Sequence, residues 1–165
     1  VDYFSHKVKE FKELVALIEE LKAQGKTVVQ CHGVFDLIHP GHIHYFKQAK
    51  DLGDVLVVTV VPDTFATEKG PTRPYFKENA RLLWVAAIDS VDYVTANPYY
   101  LAGDAIRELK PHIYCKGETN IPLSEDPSTG VGQDKIAIEA VGGTMHFTNE
   151  LPIHSTDLFN AIFKS

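Results

Sequence analysis

Two histidines three residues apart, His39 and His42, enclose Pro40 and Gly41, just after an apolar run (Val28, Val29) and a turn at Gly33. Residues three apart on a helix share a face, so both imidazoles can point at one ligand. Pro40 suits the first helical turn, because its missing N–H would have had no partner there. A helix start offers unpaired backbone N–H groups and the positive end of a dipole, which attract anions. Gly41 lets a ligand approach the backbone closely. Strand, tight turn, helix start and paired imidazoles together describe a phosphate site. The chemistry that fits is attack of a phosphoryl oxygen on the α-phosphorus of a nucleoside triphosphate. That reaction needs positioning and electrostatic stabilisation more than covalent help. His44 falls elsewhere on the helix surface and is expected to be structural, so no zinc trio and no other metal-ligand set is expected.

The elements that must position this pair follow from hydrophobic period. Val8, Phe11, Leu14, Val15, Ile18 and Leu21 repeat at helical spacing over residues 8–24, and Gly25 is a stop. Strands are expected at 27–32, 54–61, 91–95, 113–115 and 144–147. The run Asp54–Val61 is nearly all β-branched, as in a strand buried on both faces of a parallel sheet. Helices are expected at 40–52, 76–88, 99–109, 133–141 and 155–163, the last capped by Ser155. Residues 62–74 hold Pro62, Gly70, Pro71 and Pro74 and read as a loop. Residues 117–132 lack period and read as a long, mobile, solvent-facing loop. Tyr99 and Tyr100 are placed at a helix start, and Trp84 with Leu83 and Ala87 on a core-facing side of the 76–88 helix. Alternation of strand and helix predicts an α/β fold, a doubly wound parallel sheet with helices on both faces. Ligands of such sheets sit at the carboxyl ends of strands where strand order reverses.

The chain's 165 residues fit one domain, with an N-terminal helix over 1–25 packed on it, and the start at Val1 suggests a piece of something longer. A net charge of −6 argues against a nucleic-acid surface. No apolar run is long enough to span a bilayer, so no membrane partner is expected. Two cysteines, Cys31 and Cys115, suggest a reducing, cytoplasmic setting, and both read as small core residues. An anionic ligand needs local positive charge. Lys69 and Arg73 after the second strand, Arg81 one turn into the next helix, and Lys116 at a strand end are the candidates.

Gly33-Val34-Phe35-Asp36 followed by His39-Pro40-Gly41-His42 resembles the cytidylyltransferase-like nucleotidyltransferases, whose hallmark is a G-x-F-D turn followed by H-x-G-H. The resemblance runs from about Thr27 to Phe163. Within the family it is nearest to the heptose-1-phosphate adenylyltransferases. Lys69-Gly70-Pro71-Thr72-Arg73-Pro74 resembles their K-G-x-S-R-P loop, Lys116-Gly117 their V-K-G-G step, and Ser155-Thr156 their S-T-T. The resemblance implies a Rossmann-like fold and transfer of a nucleoside monophosphate to a phosphorylated sugar or polyol, with magnesium carried by the nucleotide. It implies catalytic roles for His39, His42, Lys69 and Arg81. Nucleotide contacts are implied for Gly33, Val34, Phe35, Asp36, Gly41, Lys116, Gly117, Ser155 and Thr156. Arg73 and Glu118 are assigned to the acceptor. The family's second glycine and aspartate are here Glu118, Thr119 and Asn120, which leaves the acceptor open. A cytidylyltransferase for glycerol phosphate or another alcohol phosphate is the alternative enzyme, and a non-catalytic nucleotide-binding module the alternative of another class. The family also implies a homodimer and fusion to a sugar kinase.

Overall fold

The apolar runs form a five-stranded sheet. In the computed structural model, which describes residues 4, 6–66 and 74–151, the strands are β1 (Val28–Gly33), β2 (Val55–Val60), β3 (Tyr93–Ala96), β4 (Ile113–Gly117) and β5 (Thr144–Thr148). Their order is β3-β2-β1-β4-β5, and every pairing is parallel. Strand order therefore reverses between β1 and β4. The helices are α1 (Phe11–Ala23), α2 (Pro40–Lys50), α3 (Asp63–Ala66), α4 (Glu78–Ala86), α5 (Ala102–Leu109), α6 (Ile121–Ser124) and α7 (Gly130–Ala140).

Alternation along the strands sorts the core into two faces. Val29, Cys31, Leu56, Val58 and Val60 pack with Phe46 of α2 and with Leu82 and Val85 of α4. Val28, Val55 and Val57 pack with Phe11, Leu14 and Ile18 of α1 and with Ala105 and Leu109 of α5. Tyr114 of β4 packs with Ile106 of α5 and with Ala137 and Ile138 of α7. The expected doubly wound sheet is thus present, and both cysteines are fully buried in it.

Several local expectations are corrected. Val8 is not helical. It bridges Val94 in parallel at the β3 edge, while Lys9 N–H donates to the Val94 carbonyl, and α1 starts only at Phe11. The 62–74 loop opens with the one-turn α3, and its residues 67–73 lie outside the described part. The tyrosine pair precedes α5, with Tyr99 N–H donating to Asn97 and its ring edge-on to Phe11. Trp84 and Leu83 are each 36% exposed, and Trp84 meets the exposed Phe76 edge to face rather than entering the core. The expected helix over 155–163 lies outside the described residues.

The largest correction concerns residues 117–132, which form a 3₁₀ turn at Glu118–Asn120, then α6, then the start of α7. Thr129 caps α7 by accepting from Gly132 N–H, and its hydroxyl donates back to the Leu123 and Asp126 carbonyls. Side-chain capping replaces the hydrophobic period that sequence reading relies on. A Cβ on Gly132 would sit 2.0 Å from the Asp126 carbonyl oxygen. Gly132→Ala is therefore expected to destabilise the fold by roughly 1–3 kcal/mol, read as a Tm fall of several degrees. A mobile loop would leave Tm unchanged.

Candidate active site

The chain leaves β1 through a tight reversal. Phe35 has a φ of 52°, in the left-handed region that an L-residue enters only under constraint. Its ring is buried, 5.0 Å from Phe46 and 5.5 Å from His42. A Cβ on Gly33 would meet that ring at 2.9 Å, so glycine is required there by a phenyl group, whatever else approaches.

After the reversal His39 caps α2. Its Nδ1 accepts from Gly41 N–H at 3.1 Å, which fixes the neutral ring as the Nε2–H tautomer. The His39 carbonyl accepts from His42 N–H at 2.9 Å and Ile43 N–H at 3.3 Å. Pro40 has no N–H. The first-turn amides expected to be open for an anion are therefore engaged. The dipole remains.

The two rings meet. Their centroids are 3.9 Å apart with planes inclined by 36°. His42 is half-buried, and among the described residues its Nδ1 has no hydrogen-bond partner. Burial first, then the His39 ring beside it, push its pKa down to about 4, partly offset by a hydrogen bond with the Leu37 backbone. His42 is neutral at pH 7, with an unsatisfied buried nitrogen at the positive end of a helix. Such a group is poised to be recharged by a nearby anion.

Other expected site residues are placed differently. Arg81 is fully buried, and four of its five N–H donors are used by the protein. Nε donates to the Phe76 carbonyl, Nη1 to the carbonyls of Val34 and Val61, and Nη2 to Asp63 at 2.9 Å. Contrary to the expectation of a phosphate contact, Arg81 ties the ends of β1 and β2 to α4. Asp36 is also buried, accepting from the N–H groups of Tyr75 and Phe76 at 2.9 and 3.0 Å, so it too fastens the approach to α4. The Phe35 side chain belongs to the core, while Val34 lends a carbonyl to Arg81. Glu118 accepts from Glu150 N–H, and the Glu150 carboxylate lies over Gly117 where any Cβ would clash. Lys116 is 16% exposed, with Nζ 3.4 Å from the His32 carbonyl. Lys69, Arg73, Ser155 and Thr156 lie outside the described residues. Among the described residues no three His, Cys, Asp or Glu side chains gather as metal ligands, and none of the helices is long and apolar enough to cross a membrane. Sequence reading missed Asp63, Tyr114 and Asp134. They are single polar residues with no motif around them.

A cavity of about 460 Å³ opens at the carboxyl ends of β2 and β3, and neither histidine lines it. Glu10, Thr64, Glu78, Asn79, Thr95 and Asn97 give it polar walls.

Residues 30–160 match the model of the cytidylyltransferase-like family. The chain belongs to that family. Among its relatives, the bifunctional protein HldE of Pelobacter propionicus is 36% identical over 151 residues, covering 91% of this chain and 30% of its own length. The HldE of Desulfatibacillum aliphaticivorans is 39% identical over 115 residues, covering 69% of this chain and 24% of its own. The chain thus spans under a third of the length of those curated relatives. A solved lipopolysaccharide core biosynthesis protein from Thermoplasma volcanium is 31% identical, with a TM-score of 0.61, covering 79% of this chain and all of its own. A pantoate–β-alanine ligase from Francisella tularensis shares the fold at a TM-score of 0.58 and 15% identity, over 94% of this chain and 76% of its own.

Two outcomes follow from the geometry. Arg81→Lys keeps the charge but not the fork of donors, so it should destabilise by roughly 2–4 kcal/mol. An unchanged Tm would return Arg81 to a ligand-facing role. For His42 the folded pKa of about 4 lies below the unfolded value of 6.5. Between those values the unfolded chain binds the proton and the folded one does not, so stability falls as pH drops from about 6.5 toward 4. The loss should be roughly 1–3 kcal/mol, at about 1.4 kcal/mol per pKa unit, and His42→Gln should remove it. Parallel urea-denaturation curves for the two proteins across that range would contradict the assignment.

Proposed function

We propose that the domain transfers a nucleoside monophosphate from a nucleoside triphosphate, bound as its magnesium complex, to a phosphorylated sugar, releasing pyrophosphate. The observation that carries this is the stacked His39–His42 pair at the start of α2, with the unpartnered Nδ1 of His42. The acceptor's phosphate oxygen attacks the α-phosphorus in line, forming the new P–O bond as the bond to the pyrophosphate oxygen breaks. His39 Nε2–H donates to a phosphate oxygen. The polyanion raises the depressed His42 pKa, so that ring gains a proton where negative charge grows in the transition state. Magnesium belongs to the substrate. It neutralises part of the triphosphate charge and largely retains its own water ligands.

The acceptor is read as a heptose 1-phosphate or a close analogue, and the nucleotide as ATP. The motif resemblance supports both. The neighbouring cavity supports a hydroxyl-rich acceptor. Val61 N–H donates to the Gly33 carbonyl, and Asn97 N–H donates to the Val60 carbonyl, so the ends of β1, β2 and β3 run side by side. Two strand spacings put the cavity about 10 Å from the β1 end, the reach of one sugar ring beyond its phosphate. The cavity's amides, hydroxyls, two carboxylates and Lys9 are groups that can pair with sugar hydroxyls. Lys69, Arg81, Ser155 and Thr156 are implied at the triphosphate by resemblance, and the buried Arg81 fits a supporting role there.

Pyrophosphate release from ATP with heptose 1-phosphate tests the reading. His42→Ala should lower the rate by about 10²-fold or more with little change in Tm. A wild-type rate in that variant, or wild-type protein that releases no pyrophosphate with any nucleotide and sugar-phosphate pair, would contradict it.

A further inference from the structure

On the α5–α7 face of the sheet, three polar side chains are enclosed together. Tyr114 and Lys116 alternate along β4 and so share that face, and Asp134 reaches them from α7. The Tyr114 hydroxyl donates to Asp134 Oδ2 at 2.8 Å, and Lys116 Nζ lies 3.9 Å from the same oxygen. The Lys116 and Asp134 side chains are only 16% and 7% exposed. Nζ is also 5.4 Å from the centre of the Tyr114 ring, and its hydrogen bond to the His32 carbonyl turns it toward the end of β1. An ammonium is thereby held across the β1–β4 gap, where strand order reverses and ligands of such sheets bind.

Isolated burial of a lysine favours its neutral form. Burial does push Lys116 down, and Asp134, followed by Cys31 of β1, pulls it back up. Burial likewise pushes Asp134 up, against Lys116, the Tyr114 hydroxyl, the Gly103 backbone and Arg107 of α5. His32 of β1 turns its own Nδ1 to the Thr59 hydroxyl, and the neighbour of Lys116 on β5 is the uncharged Phe147. Among the described residues Asp134 is thus the carboxylate that faces Lys116.

We infer that Asp134 is a positioning residue for nucleotide binding: with Tyr114 it keeps Lys116 an ammonium and aims it into the β1–β4 gap, so a buried carboxylate on α7 sets how firmly the site holds a polyphosphate. The inference rests on the nucleotidyl reading above. It adds a residue that no motif marks, acting through one that a motif does.

Asp134→Asn tests it, because the amide keeps the shape and an acceptor for Tyr114 while losing the charge. In the free protein, side-chain NMR of Lys116 should show its pKa lower by a unit or more in the variant. Calorimetry with ATP and magnesium should give nearly wild-type affinity at pH 6.5 and binding weaker by about twofold or more at pH 8.5, where wild type changes little. Adding Lys116→Arg, whose charge does not titrate, should abolish the pH dependence. An unshifted lysine pKa, or a binding loss equal at both pH values, would mark Asp134 as a structural ion-pair partner and overturn the inference. If the amide variant does not fold, Asp134→Glu carries the test, with a smaller alkaline weakening expected and none overturning it. Wild-type protein that binds none of ATP, CTP, GTP and UTP would overturn the nucleotidyl reading itself. Wild-type binding with no alkaline defect in the variant overturns only the role of Asp134.

Discussion

The way the chain leaves β1 governs the rest of the site. Phe35 is held in a left-handed backbone conformation that costs about 1–2 kcal/mol for an L-residue. Burial of its ring over Gly33, against Phe46 and edge-on to His42, offsets that cost. With the ring in place, the chain turns back so that His39 becomes the cap of α2 and His42 lies on top of it. A site in which polar groups are aimed before the ligand arrives needs such a support, since loosening of about 1 Å is enough to lose function.

A second support lies beneath the first. Arg81, Asp63 and Asp36 join the exits of β1 and β2 to α4 with charge-assisted hydrogen bonds. Arg81 and Asp36 carry their polar groups inward, and Asp63 is only 31% exposed. The ligand therefore meets a neutral His42, with Lys116 across the gap. Among the described residues the Nδ1 of His42 has no hydrogen-bond partner. The charge state of that ring is left to respond to whatever anion enters.

Much of this was legible in the sequence. The β-branched run of β2 fills a central parallel strand, and Pro40 marks the start of α2 to the residue. The spacing of the histidines places their rings in contact. What failed to show had physical reasons. Thr129 and Asp126 build the start of α7 by side-chain capping, so a segment without hydrophobic period is ordered. Val8 continues a helical period that its pairing with Val94 overrides. Trp84 looks like core by residue type, but α4 turns it outward against Phe76. For Arg81 and Asp36, a motif fixes position along the chain and says nothing of which way a side chain turns. Asp134 left no trace because it is recognisable only by its depth and by what lies 3.9 Å away.

A neutral His42 at the tip of α2 waits for a polyanion to charge it. Histidine side-chain NMR, titrating His42 with and without a non-hydrolysable ATP analogue and magnesium, tests this most directly. The account predicts a pKa near 4 in the free protein and a rise of at least one unit in the complex. A His42 that titrates normally when free, or one whose titration ignores the bound nucleotide, would contradict it.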